Sequence, residues 1–178
     1  MEVLRELGLP MTVRHRMRDL VETPVEQLPP AEAHLAHTLA IGGTTPGGGH
    51  SIAQLDVARA NTGSARDCVD LLQALWTPSA IDPQVAERVR DLLRGNLLRY
   101  RLAPDFTSDL STWASKMGTL LNLRHEMGVV EHADGQLFAV AALTASPVPA
   151  VNQPDAEALM GHVAQALRDR LREGRTTT

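Results

Sequence analysis

The sequence predicts an α+β fold: a helical first part, three antiparallel strands, and a C-terminal helix packed on the sheet. Three observations carry this. Residues 1–100 repeat their apolar positions mainly at helical spacing. From Trp113 the pattern shortens to that of strands, and Ala133-Asp134-Gly135 reads as a tight hairpin turn. After Asn152 a helical period returns, with Leu159, Val163, Leu167 and Leu171 along one side.

Each element has its own signal. Val3, Leu4 and Leu7 share a helix face that Gly8 ends. The basic stretch 14–18 follows, and Pro24, Pro29 and Pro30 break the chain before a short helix over 31–39. The glycine-rich residues 40–50 read as a flexible loop. Ser64 and Asp67 form a cap for a helix with Ala65, Val69, Leu72 and Trp76 inward. Asp82-Pro83 starts another, with Val85, Val89 and Leu92 or Leu93 as its buried face. Strands are expected over 113–119, 124–131 and 136–144. The third is apolar on both sides, which implies cover on both faces. That cover is either the helices of 64–97 or another polypeptide. The whole, 1–178, reads as one domain, its sheet and terminal helix spanning 113–174.

Composition excludes several functions. The chain has 178 residues, 43% hydrophobic and 21% charged, which suits a folded domain. A net charge of -4 and few aromatic residues argue against nucleic-acid partners. No stretch has membrane-spanning length, and the charged start is no signal peptide. The default location is cytoplasmic; a natural N-terminus upstream would open the alternative of secretion. Cys68, the one cysteine, sits among apolar residues and reads as a buried packing group. His34, His37 and His50 lack acidic or thiol neighbours at ligand spacing, so neither a metal nor a cofactor is expected.

Ser115-Lys116-Met117-Gly118-Thr119, on the first strand and followed by Arg124-His125-Glu126-Met127-Gly128, resembles the Lys-Thr-Gly strand of class A β-lactamases and related penicillin-recognising serine hydrolases. Residues 61–67 resemble the family's capped helix start, and 14–19 the start of its omega loop. The resemblance covers most of the chain, 22–60 least, and implies a β-lactamase/transpeptidase-like fold. It casts Lys116, Thr119 and Asp19 as catalytic: Lys116 for electrostatics, the Thr119 N–H as oxyanion donor, Asp19 near the acid that activates the deacylating water. Asp19 paired with its neighbouring arginines is the plainer reading. Ser115, Met117, Gly118 and Arg124 are the substrate-side candidates. Gly118 would admit a substrate backbone, and Arg124 points at the site or holds the sheet edge. Met117 departs from the family, since it has no hydroxyl for a substrate carboxylate.

The family's nucleophile lies in Ser-x-x-Lys, and no serine in these 178 residues is followed by lysine at that spacing. The resemblance therefore implies the C-terminal portion of a serine hydrolase acting on an amide, ester or β-lactam. A second segment or chain carrying Ser-x-x-Lys would be its partner. The alternative is a catalytically inactive relative that binds a ligand or partner, or a homodimer joined through its strand edges.

Overall fold

The structure is a computed structural model that describes residues 2–14, 28–32, 34–46, 49–106 and 111–176. The architecture is α+β, with a helical region, a three-stranded antiparallel sheet, and a C-terminal helix against it. The helices are α1 (Glu2–Glu6), α2 (Leu35–Gly42), α3 (Ala65–Trp76), α4 (Pro83–Arg94), α5 (Ala103–Phe106) and α6 (Pro154–Thr176). A short ladder, β1 (Thr44–Thr45) with β2 (Gly49–His50), precedes the main strands β3 (Thr112–Leu120), β4 (Leu123–Glu131) and β5 (Leu137–Ala145), ordered β3-β4-β5.

The β4–β5 hairpin forms where the sequence places it. Gly135 takes φ +83° in the β4–β5 turn, which a side chain would resist. The β3–β4 turn has only two residues, Leu121 and Asn122, between the paired Leu120 and Leu123. The start of α3 is as expected: Ser64 and Asp67 exchange hydrogen bonds of 3.1 and 2.7 Å in a full capping box. Asp82 caps α4 through the N–H groups of Gln84 and Val85.

The sheet is covered on both faces. Helix α3 packs against β4 and β5, and α4 against β3. On the other face, Leu102, Phe106, Trp113, Val130, Phe138 and Met160 form the main core, with Phe106 and Trp113 stacked 5.0 Å apart. Close packing there needs Gly161. A Cβ at that position would lie 2.0 Å from an Asp105 carboxylate oxygen and 2.8 Å from the Arg101 carbonyl. A smaller cluster joins Ala36, Ala40 and Ile52 to Leu121.

Five expectations differ from what forms, the first being Ala65, read as inward on α3 but exposed, because the buried row there is Cys68, Leu72 and Leu75. Within residues 40–50, where a flexible loop was expected, 40–42 close α2 and Thr44–Thr45 pairs antiparallel with Gly49–His50. Helix α4 buries Ala86 and half-buries Val89 and Leu93, leaving Val85 and Leu92 at 55% and 63% exposure. Arg90 sets that rotation: it donates to the Leu75 carbonyl at 2.5 Å and lies over Trp76. In α6 the row facing the sheet is Met160, Ala164 and Arg168, while Leu159, Val163, Leu167 and Leu171 stay 52–61% exposed. Strand β5 is only part-buried, because no described strand pairs with its outer side.

The chain between α1 and α3 leaves and returns at one point. Thr12 and Thr62 exchange backbone hydrogen bonds of 2.8 and 3.0 Å. Arg14 adds bonds to the Asn61 side chain (2.6 Å) and the Ala60 carbonyl (2.7 Å).

Candidate active site

The Lys116 strand lies at the sheet edge, and alternation sorts its side chains. Ser115 and Met117 are buried; Lys116, Gly118 and Thr119 are exposed. The ammonium of Lys116 donates to the Met117 carbonyl. Packing does not demand glycine at 118, where a Cβ would meet only the His125 Cβ, at an ordinary 3.9 Å.

Behind the strand sits Arg101, 1% exposed. One guanidinium nitrogen donates to the carbonyls of Gly118 (3.0 Å) and His125 (2.9 Å), the cross-strand partners. The other terminal nitrogen donates to the Thr119 hydroxyl (2.6 Å), and Nε to Glu157 (2.9 Å). This fixes the Gly118–Thr119 peptide. Its carbonyl turns inward toward β4, so its N–H, on the opposite side of a planar trans peptide, points to the open outer edge. The Arg124 carbonyl opposite is engaged elsewhere, accepting from the Thr144 hydroxyl at 2.6 Å. Thr119 thus presents a backbone donor beside an exposed lysine.

The other candidates are placed as follows. Ser115 donates to Glu126 Oε1 at 2.7 Å and accepts from Asn96 at 3.2 Å, so its hydroxyl faces the interior. Glu126 is equally buried and also accepts from Trp113 Nε1 (3.2 Å) and the Leu102 N–H (3.0 Å). Arg124 is buried and donates to the carbonyls of Leu121, Leu123 and Val151, the last at 2.7 Å, which ties the β3–β4 turn to the lead-in of α6. Asp19 lies outside the described residues. Sequence reading missed Arg101 and the buried role of Glu126. Glu126 shares the inward row of β4 with Arg124, Gly128 and Val130, and two charged residues at alternate positions of that row were the visible signal. Arg101 left no signal, because its partners, two backbone carbonyls, the Thr119 hydroxyl and Glu157, are brought to it only by the fold.

Histidines nearby are held in fixed roles. His125 Nδ1 accepts from the Thr144 N–H at 3.1 Å. Burial lowers its pKa below the ordinary value, against the backbone bond near Arg124 and helped by the charge of Arg101. His37 is shifted the same way, by burial and then by Arg124. His50 accepts from the Ile52 N–H at 2.9 Å and contacts the Ala40 carbonyl at 3.1 Å. Among the described residues no group of three or more His, Cys, Asp or Glu is placed to hold a metal, and no helix is long and apolar enough to cross a membrane. Cys68 is buried, and burial followed by the Asp67 charge raises its thiol pKa.

The profile of the β-lactamase enzyme family matches residues 1–171. The chain belongs to that family. It is 61% identical over 184 residues to the β-lactamase regulatory protein BlaB of Streptomyces cacaoi, covering 97% of this chain and 59% of that protein. Among solved structures it is similar to an acyl-enzyme complex of the penicillin-binding protein PBP-A with penicillin G. There the TM-score is 0.63 and the identity 19%, over 97% of this chain and 50% of that one. It is also similar to a β-lactamase from Sphaerobacter thermophilus, with a TM-score of 0.61 and 16% identity over 93% of this chain and 50% of that one. These likenesses establish the β-lactamase and penicillin-binding-protein fold. The chain spans 59% of its curated relative and half of these structures.

Proposed function

We propose that this chain supplies the Lys116–Thr119 side of a serine-hydrolase cleft whose Ser-x-x-Lys nucleophile comes from another segment or chain. The observation that carries the reading is the fixed peptide at Thr119, whose N–H is aimed outward beside Lys116. In the reaction, the serine oxygen attacks the carbonyl carbon of an amide, ester or β-lactam. The carbonyl oxygen gains the charge that the Thr119 N–H stabilises, and the C–N or C–O bond then breaks as the leaving group takes a proton. Water, or an acceptor amine, releases the acyl group. The Lys116 ammonium stabilises negative charge along this path, and Gly118 leaves room for the substrate backbone. Asp19 keeps its proposed place near the deacylating water.

Isolation of the native complex from its own host, followed by fluorescent-penicillin labelling, tests this. A co-purifying chain that carries Ser-x-x-Lys should take the label, and Lys116→Ala should slow labelling about 100-fold. A homo-oligomer that takes no label overturns it.

One observation favours a second reading. Met117 is buried and offers no hydroxyl where the family places one. The S. cacaoi relative is called a regulatory protein. A relative that binds a ligand or partner without turning it over would carry such a change.

A further inference from the structure

We infer that α2 is a proton-operated switch: when His37 takes up a proton beside the buried Arg124, the helix detaches from the β3–β4 turn. What this means for the Thr119 donor next to that turn rests on the function proposed above.

The first argument is the place His37 occupies. It lies on the inward row of α2 with Ala36 and Ala40, only 8% exposed, and its Nδ1 is buried without a hydrogen-bond partner. A neutral imidazole tolerates one bare nitrogen at modest cost. An imidazolium there would bury a charge and an unpaired N–H together. The second argument is the sign of the neighbouring charge. Arg124 reaches toward His37 from β4, and after burial its charge is what holds the His37 pKa below the ordinary value. The carboxylate beside Arg124 is Glu157 of α6, at 3.7 Å, and it already serves Arg101 at 2.9 Å. A third positive charge would share that one carboxylate with two buried arginines. The helix itself, LAHTLAIG, holds no acid. His50 meets α2 at the Ala40 carbonyl (3.1 Å), but its Nδ1 is taken by the Ile52 N–H (2.9 Å), so it brings no acceptor to His37.

Third, α2 is built to open by itself. It has eight residues, and His34 at its N-cap makes no side-chain capping bond. Its anchors are small: Ala36 and Ala40 pack on Ile52 and Leu121, while Leu35 and Leu39 stay exposed. Elements with few apolar anchors open locally, below the free energy of global unfolding. The sign then follows. Docked, His37 has a lowered pKa; undocked, it regains about 6.5. Acid below that value draws the helix open, and neutral pH returns it.

Hydrogen exchange of the full chain, read by mass spectrometry and corrected for the intrinsic effect of pH, tests this. Between about pH 7.5 and about pH 5.5, protection over residues 35–42 should fall about tenfold, while that of α3 stays within about twofold. In NMR the His37 ring and the α2 amides should shift with one midpoint. His37→Gln keeps a neutral polar group and should hold α2 protection level across the range. An α2 that ignores pH, an equal loss in α3, the same loss in His37→Gln, or a His37 titration that leaves the α2 amides unmoved each overturns the inference. Labelling decides the other reading separately. A complex that takes no penicillin label while α2 responds as described upholds the switch and sinks the hydrolase reading. A labelled complex whose α2 protection ignores pH does the reverse.

Discussion

Glu126 occupies a position where a carboxylate is costly unless satisfied, and three donors satisfy it: Ser115, Trp113 and the Leu102 N–H. Glu126→Ala strands those donors in the interior, and urea unfolding should show a loss of about 3 kcal/mol or more. The two shifted histidines give stability a pH dependence with a definite sign. Burial lowers the native pKa of His125 and of His37, so the unfolded chain takes up protons first as pH falls. Their contribution is full above the unfolded value, about 6.5, and is lost below it through the depressed native values. Unfolding midpoints at about pH 7.5 and about pH 5.5 should differ, and His125→Asn should narrow the gap. At this scale the strand that carries Lys116, Gly118 and Thr119 was legible, because strand periodicity is a sequence property. Arg101 was not. Its choice of carbonyls depends on where the chain brings Gly118 and His125 together.

Among the elements, caps and turns were legible and burial faces were not. Ser64-x-x-Asp67 and Asp82-Pro83 act through local chemistry, which sequence encodes directly. Which side of a helix meets the sheet depends on neighbours. Helix α6 carries two rows that can bury, and its sequence favours the leucine row. The protein instead turns the smaller row of Met160, Gly161 and Ala164 inward, where Gly161 lets α5 approach. A pair of substitutions separates packing from helix propensity. Gly174→Ala has open space around it and should raise stability by about 0.5 kcal/mol. Gly161→Ala has the same intrinsic advantage yet meets the Arg101 carbonyl, so its melting temperature should fall by several degrees, by about 1 kcal/mol or more.

Across the whole molecule, the order of helices, strands and closing helix could be read from periodicity, because both strand connections are local and the second turn is marked by Asp134-Gly135. The excursion from Arg14 to Ala60 could not. Its ends meet through a bridge between Thr12 and Thr62, residues that carry no pairing signal of their own. The excursion also reaches the proposed cleft. Leu121, in the two-residue turn just past Thr119, takes φ 52°, a left-handed value that a leucine adopts at a cost of about 1 kcal/mol or more. Its side chain is buried with Ala36, Ala40 and Ile52, all within the excursion. Leu121→Gly should relieve the backbone yet lose more from the emptied pocket, a net loss of about 1–3 kcal/mol by chemical denaturation. The turn is therefore a latch held shut from outside. As long as α2 stays seated, the buried leucine helps hold the strand end in shape, two residues from the N–H proposed as oxyanion donor; if α2 lifts, that support is lost.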